Sequence, residues 1–152
     1  MDRIVIGSDH AGFTLKEAVK HYLETKGFRV DDIGTANAES VDYPDFGCRV
    51  AEKVSAGEFQ RGVLVCGSGV GMAIVANKFP RIRAVLSMDE ETARMSRLHN
   101  DSNILVLAGR RTDIATASRI ADTWLSTAFE GGRHQTRLDK ITELESRLCR
   151  PS

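Results

Sequence analysis

Cys66 closes a short apolar run, Gly62-Val63-Leu64-Val65, and opens a glycine-rich one, Gly67-Ser68-Gly69-Val70-Gly71. A thiolate serves as nucleophile or base. Alternating glycines let the chain turn tightly and leave its N–H groups open to a ligand. A helical pattern begins at Val70 and continues through Ala73, Ile74 and Asn77, so a helix start adds partial positive charge at the same place. A reactive thiol thus stands beside a cradle for an anion.

Several phosphate and redox motifs come close and fail at one residue. Gly7-Ser8-Asp9-His10-Ala11-Gly12-Phe13-Thr14 has P-loop spacing, with Phe13 where the lysine belongs. The loop after Cys66 resembles a dinucleotide fingerprint, but its third glycine comes one residue early and Met72 stands in its place. A Cys-x-x-Cys pair would need cysteine at Gly69, and a tyrosine-phosphatase loop would need arginine at Met72. Nucleotide, redox and phosphatase chemistry are all weakened. The glycine cradle and its thiol remain.

The elements that must position them alternate along the chain. Residues 3–7 read as a strand, followed by a helix with Leu15, Ala18, Val19, Tyr22 and Leu23 on one face. Gly27 ends it, and 28–33 reads as a second strand. Asp42 or Tyr43 precedes Pro44 in the first turn of a helix carrying Val50, Ala51 and Val54. The glycine-loop strand and its helix follow, then a strand over 82–87 and a helix opened by Asp89-Glu90-Glu91. Residues 104–108 form a fifth strand. Asp113 begins a helix with Ile114, Ala117, Ala121, Trp124 and Leu125 on one face, Gly131-Gly132 breaks it, and a last helix carries Leu138, Ile141, Leu144 and Leu148. Five alternations predict one α/β domain over 1–152: a Rossmann-like three-layer α/β/α sandwich with a five-stranded parallel sheet and an extra C-terminal helix. The stripe of that last helix is expected to pack on a second subunit.

Composition narrows the partners. Lys and Arg number 21, as do Asp and Glu, so neither nucleic acid nor an acidic membrane is expected as the main partner. No apolar run approaches the roughly 20 residues that span a bilayer, and the three cysteines are odd in number and widely spaced. A cytoplasmic protein without disulfides is expected.

In an open parallel sheet, ligands bind beyond the carboxyl ends of the strands where the strand order reverses. With the order 2-1-3-4-5, strands one and three flank that crevice, so Asp9 and His10 face Cys66 and its loop. Arg110, after strand five, lies at the same edge. His99-Asn100-Asp101 precedes strand five, and Arg133-His134-Gln135-Thr136-Arg137 follows the fifth helix. Both belong at the opposite edge, so they would complete a neighbouring subunit's site. Arg133 and Arg137 are one helical turn apart and could grip one phosphate together. Cys48 and Cys149 read as packing or incidental thiols, His21 as solvated, and Arg81 and Arg83 as solvated surface charges. Ligand spacing does not suggest metal.

Six segments carry a resemblance: Gly7-Ser8-Asp9-His10-Ala11-Gly12, Asp42-Tyr43-Pro44, Cys66-Gly67-Ser68-Gly69-Val70-Gly71, Ala76-Asn77-Lys78, His99-Asn100-Asp101 and Gly131-Gly132-Arg133-His134. Over nearly the whole chain they resemble the type B ribose-5-phosphate isomerases, within the wider family that includes galactose-6-phosphate isomerases. The resemblance implies metal-free and cofactor-free aldose–ketose isomerisation at sites shared across a dimer interface, in a homodimer or a dimer of dimers, with Cys66 moving the proton between C2 and C1. It implies that His99 helps open the sugar ring, that Asp9 supports that step, and that His10 lines the site. Arg110, Arg133, Arg137 and Asn100 would hold phosphate and hydroxyls. Ser68, often threonine in the family, keeps its hydroxyl and would bond Cys66 or relay a proton. Backbone N–H groups from Gly67 to Gly71 would stabilise the enediolate; Tyr43 either walls the pocket or packs after its turn. The same chemistry on a tetrose 4-phosphate or hexose 6-phosphate, or non-catalytic phosphosugar binding, would use the same residues.

Overall fold

Short, continuous apolar runs rich in β-branched residues build a sheet buried on both faces. The computed structural model describes residues 2–148. In order these are β1 (Arg3–Ser8), α1 (Phe13–Thr25), β2 (Arg29–Asp32), α2 (Tyr43–Ser55), β3 (Arg61–Cys66), α3 (Val70–Ala76), β4 (Ala84–Leu86), α4 (Glu90–Asn100), β5 (Ile104–Ala108), α5 (Ile114–Ser126) and α6 (Arg133–Leu148). All strand pairings are parallel. On one face Ile6, Val63, Val65, Leu105 and Leu107 meet Val19 and Leu23 of α1 and Ile120 and Trp124 of α5. On the other, Val5, Leu64, Ile104 and Val106 meet Val50 and Ala51 of α2 and Met72 of α3. Each fully buried Val, Leu, Ile or Met side chain among these contributes about 1.5–3 kcal/mol. The sandwich is held from both sides.

The strand order is β2-β1-β3-β5-β4, not 2-1-3-4-5. Every residue of β5 is buried, whereas β4 has three half-buried residues. The apolar strand takes the interior position and the short one the edge. The reversal between β1 and β3 survives, and β5 now adjoins β3, which brings the loop after β5 against the Cys66 loop. The second and fourth strands are shorter than 28–33 and 82–87. At β4 the Arg83 and Ala84 N–H groups bond to the side chains of Asn103 and Asn77 instead.

Helix α6 buries His134 and Leu138 but leaves Ile141, Leu144 and Leu148 exposed, Leu148 by 74%. With Phe79, Ile82 and Val85 they line an apolar cavity of about 610 Å³. Cys149 lies outside the described residues. No helix among those described is long and apolar enough to cross a membrane.

Candidate active site

The carboxyl ends of β1, β3 and β5 place one group of side chains. Ser8 pairs with Val65 and Cys66 with Ala108. Just beyond β1, Asp9 is 6% exposed and its Oδ1 accepts the Gly12 N–H at 2.9 Å, which fixes the turn into α1. Cys66 is buried at 4% exposure. Its loop turns at Gly69, whose φ is +78° and where a Cβ would stand 2.4 Å from Leu86 Cδ1; only glycine fits. Tyr43, at the start of α2, lies flat enough against Gly71 that a Cβ there would meet its ring at 2.6 Å. Arg110 donates its N–H to Gly67 O at 3.0 Å and runs its side chain past Gly67. Asp9, His10, Tyr43, Cys66, the glycine loop and Arg110 therefore share one edge.

Two details of this edge differ from expectation. The Ser68 Oγ accepts the Val70 N–H at 3.3 Å, a turn closed two residues on, rather than bonding Cys66. Helix α3 has seven residues, so its dipole is slight and the N–H groups of the loop itself form the cradle.

His10 is oriented by a part of the chain the sequence did not single out. Its Nδ1 accepts the Val41 N–H at 3.2 Å, so the neutral ring carries its proton on Nε2. The approach to Val41 is anchored by Lys16, which is 1% exposed and donates to Asp32 Oδ1 at 2.9 Å, Oδ2 at 2.7 Å and Thr35 O at 2.7 Å. Burial pushes the Asp32 carboxyl up. Bonds from Lys16 and Gly34, and the Lys16 and Lys20 charges, outweigh this and hold it below the ordinary carboxylate range. A lysine on the Leu15–Val19–Leu23 face was the available signal.

A second group sits at the amino edge. The Glu130 N–H donates to Leu98 O at 3.1 Å, which lays the start of α6 on the end of α4. The His99 and His134 rings stack at 4.2 Å and 18°. His134 is 5% exposed; its Nε2 has no hydrogen-bond partner among the described residues and lies 3.7 Å from Glu130 Oε1. Burial, His99 and the Arg133 and Arg137 charges push His134 below its ordinary value, against Glu130. Asn100, Arg133 and Arg137 are exposed nearby. Spacing alone missed Glu130, four residues before His134. Donor atoms of His99, Glu130 and His134 fall within 4.8 Å of one another, but near-parallel rings aim their lone pairs side by side and two arginines repel a cation. The surroundings suit an anion.

These groups do not meet within one chain. Ile104, just past the end of α4, pairs with Gly62. Cys66 lies four residues further along β3, about 13 Å at the usual rise per residue. The structure therefore contains two separate groups of polar side chains at opposite edges of one sheet.

The sequence pattern of the ribose/galactose isomerases matches residues 4–141. The chain belongs to the ribose/galactose isomerase family. Among its members, ribose-5-phosphate isomerase B of Escherichia coli is 44% identical over 147 residues, covering 97% of this chain and 99% of the relative. The structure of Clostridium thermocellum ribose-5-phosphate isomerase B superposes with a TM-score of 0.94 at 51% identity, covering 96% of this chain and 99% of that one. That of the Mycoplasma genitalium enzyme with bound ribulose 5-phosphate gives 0.91 at 42%, covering 95% and 96%. The matched residues span both groups of side chains.

Proposed function

We propose that this family member interconverts ribose 5-phosphate and ribulose 5-phosphate, at sites formed when two copies bring opposite sheet edges together. The observation that carries this reading is the buried Cys66 thiol at the mouth of the glycine loop, beside Asp9 and His10. Isomerisation needs a base for a proton next to a carbonyl and donors for the enediolate oxygen that results. Cys66, as thiolate, takes the proton from C2, and the electron pair of the C–H bond forms the enediolate. The O2 hydroxyl proton passes to O1 with the Ser68 hydroxyl as relay, and the proton held by Cys66 is delivered to C1 as the O2 electron pair forms the carbonyl at C2. N–H groups between Gly67 and Gly71 stabilise the oxygen anion, and the Ser68 O–H, not consumed by its bond from Val70, is a further donor. His10, held with its proton on Nε2, donates to a substrate oxygen.

The second half of the site comes from the partner copy in this reading. His99 moves the ring-opening proton with Asp9 in support. Asn100, Arg133 and Arg137 hold hydroxyls and phosphate, with Arg110 contributing from the Cys66 side. The exposed Ile141, Leu144 and Leu148 stripe supplies an apolar face for that contact. The ribulose 5-phosphate bound to the Mycoplasma genitalium relative supports a pentose phosphate as substrate.

The test is turnover of ribose 5-phosphate without added metal, beside erythrose 4-phosphate and allose 6-phosphate. A clear preference for the pentose is expected, with kcat reduced about 10²–10⁴-fold or more in Cys66→Ala. Preference for another sugar would keep the mechanism and change the substrate. Binding without turnover by the folded, reduced wild type would leave a phosphosugar-binding protein.

A further inference from the structure

The amino edge of the sheet holds a second basic site whose construction does not depend on the proposed reaction. Arg61 at the start of β3, Arg81 and Arg83 before β4, and Arg97 of α4 line a cavity of about 470 Å³ in which Asp101 is the one carboxylate. Arg97 is 6% exposed and Arg83 half-buried, so Arg83 is not the solvated charge the sequence suggests, whereas Arg81 is exposed. Each guanidinium is fixed by a backbone carbonyl, and Arg97 also gives its Nη1 to Ser102 O and Asp101 Oδ1, which leaves only its Nη2 free. Arg61 Nη1 donates to Leu125 O at 3.1 Å, Arg81 Nε to Ser55 O at 3.0 Å, Arg83 Nε to Asp101 O at 3.0 Å and Arg97 Nε to Thr127 O at 3.2 Å. Carbonyl oxygens fix the four groups without neutralising them.

Counter-charge is scarce. Asp101 serves both Arg97, at 2.8 Å, and Arg83, at 3.6 Å. Among the described residues, neither Arg61 nor Arg81 has a carboxylate within 4.0 Å of its guanidinium. The Arg61 charge is opposed first by burial and then by Arg97, with Asp2 and Asp101 only partly compensating. Glu145 accepts the Arg81 backbone N–H from the rim at 3.1 Å. Arg81 also holds a left-handed backbone, φ 65°, which is unfavourable for a residue with a Cβ. Forks from three separate elements around a cavity of this size suit several phosphate groups rather than one, because a guanidinium binds phosphate oxygens in pairs.

We propose that this cavity is a binding site for a small di- or triphosphate anion, separate from the half-site of His99 and Arg133. The phosphates would take the free N–H groups of Arg61, Arg81 and Arg83, with the single free Nη2 of Arg97 beside them. In doing so they compete with Asp101, whose left-handed residue ends α4 two positions beyond His99. The anion is therefore placed to act on the end of the helix that carries His99 and Asn100.

Inorganic tripolyphosphate is the probe, titrated calorimetrically into the full chain at constant ionic strength. One anion per chain is expected, with affinity at least tenfold weaker in Arg83→Gln and in Arg61→Gln. In Arg137→Ala, which alters only the phosphate group of the proposed active site, affinity should stay within twofold. Should Arg61→Gln fail to fold, the Nε–H resonances of the wild type give the same answer: those of Arg83 and Arg97 should shift during the titration. Binding lost in Arg137→Ala but kept in Arg83→Gln would overturn the proposal, as would unshifted Arg83 and Arg97 resonances. Neither result depends on whether the protein isomerises any sugar.

Discussion

The two edges of the sheet are ordered by different means. At the carboxyl edge, Asp9, His10 and Cys66 follow strand ends directly and are held by backbone partners: Gly12 N–H, Val41 N–H and the β3–β5 register. At the amino edge, His99 and His134 are held by stacking on each other, beside exposed Arg133 and Arg137. The first edge is what an open parallel sheet makes of its switch point in any copy. The second has its charged groups and two imidazoles in place but, among the described residues, no thiol. A site that needs both must be assembled from two chains, and this separates folding of the site from its completion.

The largest effect should come from breaking the two edges in different chains. If the proposed two-chain site holds, Cys66→Ala and His99→Ala proteins should each be nearly inactive. Mixed with subunit exchange, they form hybrids in which one of two sites is intact, so activity should return to about a quarter of wild type for a symmetric dimer mixed at random. Assay after denaturant-assisted exchange, with hybrids quantified by native mass spectrometry, measures this. No recovery in proven hybrids would place both residues in one chain's site.

A smaller effect should distinguish the edges by stability. Lys16→Met removes the buried partner of Asp32, whose side chain is 16% exposed, and leaves Thr35 O without its donor. Breaking such a pair costs about 3–5 kcal/mol, read from urea denaturation. The carboxyl edge should lose more: two-bond ¹H–¹⁵N spectra should show His10 no longer fixed as the Nε2–H form, while the His134 signals are unchanged. A loss below about 1 kcal/mol would mean that backbone bonds alone hold the loop.

The same division explains what the sequence made legible. Strand ends, a glycine loop and their neighbours are local patterns, so Cys66, Asp9, His10 and Arg110 could be placed at one edge, and His99 and Arg133 at the other, without coordinates. The order of β4 and β5 was not readable by chain sequence, because it depends on burial: a five-residue apolar strand displaces a three-residue one from the interior. Lys16–Asp32, Val41–His10 and Glu130–His134 were missed for a different reason. Polar contacts between distant elements leave no periodicity, and their one trace was a lysine on an apolar helix face. The arginines around Asp101 look like surface charges for the same reason; only the fold converts them into one cavity.

The smallest expected effect concerns pH and tests whether the amino edge is built to keep His134 neutral. Its value in the fold is pushed below the ordinary one by burial and by His99, Arg133 and Arg137, against Glu130. The unfolded chain therefore binds a proton more readily than the fold does, starting near pH 6.5, the ordinary histidine value. The contribution is fully present above that pH and declines as pH falls toward the depressed value. His134→Gln removes this part of the acid sensitivity, so the fall in denaturation midpoint between pH 7.5 and 5.5 should be shallower than in wild type. Asp32 does not interfere, because its own titration lies below the ordinary carboxylate range. A steeper fall in the variant would mean that His134 binds its proton more tightly in the fold, with Glu130 outweighing the arginines. The amino edge would then carry an imidazolium and attract phosphate with three cations instead of two.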